Sequence, residues 1–239
     1  MLARADPLEK VCPVGRKVRK GDHLFQAGDA LSSLYTVRGG FFKTTSMLDE
    51  EREQVMGFQM PGDFLAVEGI GTGLHQSNVI ALEDSLVCQI PCSAGGGYAH
   101  EPAGGALRLR LAMSELIVDA QRAMVLLGSG QSEERVAAFL LDLSERYGAR
   151  GFSRTDFQIR MSRQDVGSLL GLRLETVSRT LSKFATDGLL IVKFRHIRIV
   201  DLAGLQRRAG GAPVSRVDAP APKRCRSQTP NFASHANLA

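Results

Sequence analysis

The sequence predicts an α+β fold in three parts: an N-terminal β-roll, a long helix and a C-terminal winged helix-turn-helix. Three observations predict it. From Arg16 to Pro91 the chain runs in short β-like stretches broken by Gly, Asp and Pro. From Leu107 to Gly128 it holds no Pro and no interior Gly, and its apolar residues recur at helical steps. From Arg163 onward two short amphipathic segments meet at a glycine, and a basic, hairpin-like stretch follows. The predicted boundaries are a roll with a loose connector over 1–106, a helix over 107–130, a helix-turn-helix domain over 131–208 and a disordered tail over 209–239.

The roll rests on runs such as "HLFQAG", "SLYTVRGGFFKTTSM", "REQVMGFQMPGD" and "SNVIALEDSLVCQIP". Runs of this length, divided by turn residues, indicate an all-β roll or sandwich. Gly21, Gly28, Gly39, Gly40 and Gly62 fall where such turns are needed. The following "SAGGGYAHEPAGGA", residues 93–106, is too small in its side chains to bury much surface and reads as a connector.

In the long helix Met113, Ile117, Ala120, Met124 and Leu127 recur at alternating steps of four and three, a heptad seam. Twenty-two helical residues span ~33 Å. A stripe of this kind can face its own domain's core. An uncharged seam on a helix between two domains points instead to pairing with a second copy. "GSGQ" ends the helix. Ser132 is predicted to cap the next one, with Glu133 and Glu134 at its positive end, and Gly148 to close it. After a β-like "FQIRM", Ser162 and Asp165 form a capping pair for a further helix.

The segment "RQDVGSLLGLRLETVSRTLSKFATDGLL" predicts the helix-turn-helix. Val166, Leu169, Leu170 and Leu172 supply one apolar face, and Val177, Leu181 and Phe184 the other. Gly167 is small where crossing helices touch, and Gly171 sits at the turn. "GLLIVKFRHIRIVD" reads as a hairpin wing carrying Lys193, Arg195 and Arg198. Glu175, Ser178 and Arg179 share one side of the second helix, at i, i+3 and i+4. Such a helix presents its N-terminal half to base edges in the major groove of double-stranded DNA. Arg donates two hydrogen bonds to guanine, and Glu accepts one from cytosine. Glu175 is also expected to pair with Arg179. Arg173, Thr176, Lys183 and Arg195 are expected at phosphates.

Charge agrees with that partner. The net charge is +5, and between Arg163 and Arg198 seven Arg and Lys face three acids. No run is long and apolar enough for a membrane span, and "MLARADPLEKVCPVGRKVRKGD" has no secretory core, so a cytoplasmic chain is expected. Cys12, Cys88, Cys92 and Cys225 form no CxxC pair and are expected as free thiols. A cupin-like metalloenzyme is the competing class. His23, His75 and His100 are scattered, without a His-x-His pair, and no G-x-S-x-G elbow occurs. These histidines are expected at the surface or in loops.

Several stretches resemble the Crp/Fnr family of bacterial transcription regulators, in its fumarate-and-nitrate-reduction (FNR) branch. They are "KGDHLFQAGDALSSLYTVRGG", "GFQMPGDFLAVEGIGTG", "ALEDSLVCQIP", "SEERVAAFLLDLSERYGARGFS" and "LETVSRTLSKFATDGLL". The resemblance implies a cyclic-nucleotide-binding-like roll, a dimerisation helix and a winged helix-turn-helix. It implies a homodimer on a palindrome with half-sites of the TTGAT type, RNA polymerase as a partner, and Arg163, Gln164 and Lys193 at phosphates. The E-x-x-S-R of Glu175, Ser178 and Arg179 carries the branch. Oxygen-sensing members hold a [4Fe–4S] cluster, and Cys88 matches their roll cysteine. Their N-terminal trio has no counterpart here, because only Cys12 precedes the roll. No cofactor is expected in this chain; a cluster would require cysteines upstream of it. The family's seam often carries an acid where Ala120 stands, and its Leu-rich short helices are replaced by Gly and Ala over 92–106. Cyclic-nucleotide sensing is disfavoured: Glu68 and Gly69 stand in reversed order, and "VEGIGTGLHQSNVIAL" holds no Arg for the phosphate.

Overall fold

The computed structural model describes residues 15–49, 52–92, 105–129 and 131–210. Eight strands come first: β1 (Gly15–Val18), β2 (His23–Phe25), β3 (Ser33–Gly39), β4 (Phe42–Met47), β5 (Glu53–Gln59), β6 (Phe64–Leu65), β7 (Asn78–Ala81) and β8 (Ser85–Pro91). They form two antiparallel four-stranded sheets, ordered β1-β8-β3-β6 and β2-β7-β4-β5. This is the expected roll. Leu34, Val37, Phe42, Val79 and Val87 are buried in one apolar core of the roll. Gly40 illustrates why glycine punctuates it. Its φ is 87°, and a Cβ there would lie 2.8 Å from the Ser85 backbone.

Helix α1 (Gly105–Ser129) follows, then α2 (Ser132–Ala149), β9 (Asp156–Gln158), α3 (Arg163–Leu170), α4 (Leu174–Thr186), β10 (Leu190–Lys193), β11 (His196–Ile199) and α5 (Leu202–Arg208). Strands β10, β11 and β9 make one antiparallel sheet in that order. The cap of α2 sits one residue earlier than expected. Gln131 is its N-cap, Ser132 is its first helical residue, and the Glu134 carboxylate accepts from the Gln131 backbone N–H at 2.9 Å. The helix also runs through Gly148 to Ala149, because the Arg150 and Gly151 N–H groups bond back to Tyr147 and Gly148. Helix α5 is an addition to the predicted elements. Asp201 caps it by accepting from Gly204 N at 2.8 Å, and Leu205 anchors it in the core. Most of the connector (93–104) and of the expected tail (211–239) lies outside the described residues.

The C-terminal core contains two residues of the roll, Val55 and Phe58 of β5, packed with Phe139, Leu140, Val166 and Leu170. Polar contacts seal this junction. The Lys43 ammonium meets Asp165 at 2.9 Å, and Ser168 Oγ accepts from Val55 N at 2.9 Å. Arg146 donates to Asp63 at 2.6 Å and to the Phe58 carbonyl at 2.8 Å. Arg150 donates to the Pro61 carbonyl at 2.5 Å and also holds Asp63. The β4–β5 hairpin of the roll is therefore seated on α3 and α2.

Among the histidines, His75 lies in the loop before β7, within the expectation, yet it is buried rather than at the surface. It is 3% exposed and stacks on Phe25 with ring centroids 3.7 Å apart. Burial lowers its pKa, opposed by the charges of Glu68 and Asp29. His23 is exposed as expected, and His100 lies outside the described residues.

Candidate nucleic-acid interface

The helix-turn-helix is built by short-range rules. Ser162 accepts from Asp165 N at 3.0 Å while Asp165 accepts from Ser162 N at 2.9 Å, the predicted reciprocal cap of α3. Gly171 ends α3 at φ 62°, in the left-handed region. Gly167 is required by crossing geometry: a Cβ there would lie 2.6 Å from the Leu172 carbonyl oxygen. Arg173 stands at the N-cap of α4.

Helix α4 has two chemically distinct faces. Val177, Thr180, Leu181 and Phe184 are buried against the core. Burial of side chains like Val177, Leu181 and Phe184 contributes about 1.5–3 kcal/mol each. On the other side Glu175 and Arg179 are exposed, and Ser178 and Thr176 are half-buried. The structure brings Glu175, Ser178 and Arg179 onto one outward face, as their spacing predicts. Among the described residues, however, no ion pair joins Glu175 to Arg179. The expected pair is not formed because both side chains extend into water, where holding two long chains together gains little.

The expected phosphate residues divide. Gln164, Arg173, Lys193 and Arg195 are exposed. Arg163 is half-buried and donates to the Phe194 carbonyl at 3.2 Å. Its pKa is lowered, first by burial and then by the charge of Arg195. Lys183 departs from expectation. Its ammonium is bound by Glu133 at the start of α2, and Arg208 binds the other oxygen of that carboxylate at 2.9 Å. Hydrogen bonding by Lys183 is the main cause holding Glu133 below its ordinary range. A lysine in the third turn of α4 thus reaches back to α2, where Glu133 binds both it and Arg208. In the wing Arg198 is held by Asp156 at 2.9 Å, together with His196.

The turn of the wing is Phe194–Arg195, between the paired residues Lys193 and His196. Sequence reasoning passed over Phe194. The signal was available: a large aromatic residue fills a two-residue hairpin turn, where Gly or Asn is preferred.

Helix α1 presents its seam to solvent. Met113, Ala120 and Leu127 are exposed, Ile117 is 60% exposed and Met124 65%. Its C-terminus is tied to the helix-turn-helix by Arg135, which donates to the Leu127 carbonyl at 2.8 Å and to the Leu170 carbonyl at 3.0 Å.

An iron–sulfur cluster needs four ligands, commonly thiolates, and the described residues include two cysteines, Cys88 and Cys92. Cys88 is buried in β8 and is disulfide-bonded, which corrects the free-thiol expectation at that position. Cys92 is free, and burial pushes its thiol pKa up. No group of three or more His, Cys, Asp or Glu gathers among the described residues. Likewise, no described helix is long and apolar enough to cross a membrane.

Comparison with known proteins follows the same division. Residues 134–208 match the Crp-like helix-turn-helix domain, and residues 15–94 match the cyclic nucleotide-binding domain. The transcriptional activator protein FnrA of Stutzerimonas stutzeri is 39% identical over 207 residues, 87% of this chain and 85% of that one. The fumarate and nitrate reduction regulatory protein of Escherichia coli K12 is 38% identical over 205 residues, 86% of this chain and 82% of that one. FixK2 from Bradyrhizobium japonicum superposes with a TM-score of 0.70 at 29% identity, covering 81% of this chain and 96% of that one.

Proposed function

This chain belongs to the Crp/Fnr family of DNA-binding transcription regulators, and from that premise we propose that it binds a palindromic operator of the FNR type as a homodimer and activates transcription there. One observation carries the reading: α4 turns Glu175, Ser178 and Arg179 outward while its opposite face is locked in the core. In the major groove Arg179 donates to guanine O6 and N7, and Glu175 accepts from cytosine N4. Since neither side chain is paired to the other, reading a base breaks no ion pair between them. Arg163, Gln164, Arg173, Thr176, Lys193 and Arg195 supply phosphate contacts, which set register and salt dependence. Lys183 joins them only by leaving Glu133.

Two copies pair along Met113, Ile117, Ala120, Met124 and Leu127. That symmetry sets two α4 helices about 34 Å apart, one helical turn of DNA. The uncharged seam supports pairing without a bound cluster, since no buried carboxylate has to be desolvated. Contact with RNA polymerase belongs to the same reading, as activation requires it.

A gel shift on a TTGAT-type palindrome tests the site. Arg179→Ala is expected to lose ~1–3 kcal/mol and discrimination at one base pair. Equal loss on scrambled DNA would refute its role as a base reader. Sedimentation of aerobic, metal-free protein should show a dimer; monomer alone would sink cluster-independent pairing.

A further inference from the structure

We propose that Phe194 is a wedge for DNA: the wing tip seats this ring in the minor groove flanking the half-site and favours a base step that opens easily. The inference rests on the operator reading above and extends it to a residue outside the helix-turn-helix.

Two features of Phe194 are unfavourable in the free chain. Its φ is 56°, the positive value that the first central residue of a II′ turn takes and for which Gly is suited. The residue is 89% exposed, the most exposed of the chain's large apolar residues that are described. A strained backbone at a functional edge points to a contact made elsewhere. Turn chemistry alone would place Gly there, and it would expose no aromatic surface.

The surroundings identify the partner. Lys193 and Arg195 flank the ring, and the Arg195 guanidinium carbon lies 5.9 Å from its centroid. Arg163, at the start of α3, donates to the Phe194 carbonyl at 3.2 Å. Arg195 donates to the Arg160 carbonyl at 3.3 Å. The nearby carboxylate of Asp156 is occupied by Arg198 and His196. An apolar ring set among cations, continuous with the N-terminus of α3, complements a polyanion whose grooves accept apolar wedges. Minor-groove proteins insert Phe, Leu or Ile between base steps in this way, with Arg and Lys beside them. Pyrimidine–purine steps such as TA unstack most readily, so the contact reads flexibility rather than hydrogen bonds.

The test uses full-length protein and two palindromes that differ only in the flanking step, TA against a GC-rich one. Binding is read by gel shift and bending by circular permutation. Phe194→Gly suits the backbone and should fold at least as well as wild type, which thermal melting checks. It is expected to weaken binding to the TA-flanked site about tenfold, to erase the preference between flanks and to reduce the bend. Its salt slope should match wild type, because no charge is removed. Phe194→Leu should keep part of the preference. Wild-type affinity and bending in Phe194→Gly, or equal loss on both flanks, overturns the wedge. Unchanged DNA binding with lost transcription would move Phe194 to a protein partner and overturn it too. A wild-type chain that binds the palindrome no better than scrambled DNA sinks the operator reading and the wedge together. Discrimination by wild type with an equal Phe194→Gly sinks the wedge alone.

Discussion

Helices α1 and α4 each leave one face uncovered among the described residues, yet the faces are opposite in chemistry. That of α4 is polar, with Glu175 and Arg179 in water and Val177, Leu181 and Phe184 buried behind them. That of α1 is apolar, with Ile117 and Met124 largely in water. An exposed polar face costs nothing to keep solvated, so α4 is stable as it stands and is available to a charged ligand. An exposed apolar seam is favourable only once covered. The contrast teaches that the polarity of an uncovered face sets the kind of surface that can cover it.

The largest effect is expected at the seam. Ile117→Glu places two like charges in a two-fold interface, at a cost on the order of 3–5 kcal/mol for an uncompensated buried charge. Sedimentation should show monomer, and operator binding should fall with it while circular dichroism is unchanged. If the dimer survives, the seam lies elsewhere. Next is Phe184→Ala, on the hidden side of α4. Removal of this fully buried ring should destabilise the C-terminal domain by about 3–5 kcal/mol in urea unfolding. The same exchange at exposed Met124 should leave monomer stability nearly unchanged, which sharpens the contrast between the two helices.

Lys193→Ala, on the wing, should weaken every DNA sequence alike and lower the slope of log K against log salt by about 0.9 for each phosphate no longer neutralised. A sequence-dependent effect would make Lys193 a base reader. The smallest effect concerns the seat of α3 on the roll. Burial works against ionisation of Asp165, but hydrogen bonds from Ser162 and Lys43 prevail and hold its pKa below the usual range. A carboxylate depressed in the folded state contributes stability above its unfolded pKa of about 3.9 and loses it as pH falls through the folded value. Unfolding free energy should therefore decline on acidification below about pH 5. Asp165→Asn should flatten part of that decline; an unchanged profile would remove Asp165 from the linkage.

Much of the helix-turn-helix was legible in the sequence because its signals are local. The Ser162–Asp165 cap, the turn at Gly171, the small residue at Gly167 and the three-and-four spacing of Val177, Leu181 and Phe184 each act within a few residues. The roll was legible in outline for the same reason, through short β-like runs divided by turn residues. The cap of α2 differs by one residue because Ser and Gln stand side by side and both can begin a helix. Helix α5 escapes sequence reading because its seven residues carry too short a period to register.

The sequence by itself determined most element types, the two chemically distinct faces of α4 and the spacing that sets Glu175, Ser178 and Arg179 on one side. Only the tertiary structure decided which charges are bound by partners distant in the chain. Lys183 is held by Glu133 across a separation of 50 residues, Asp63 receives Arg146 across 83, and Lys43 reaches Asp165 across 122. His75 is buried against Phe25 for the same kind of reason. Periodicity and capping act over one or two turns of chain, whereas Coulomb attraction and burial act through space. Where a side chain's partner lies far along the sequence, the fold alone brings the two together.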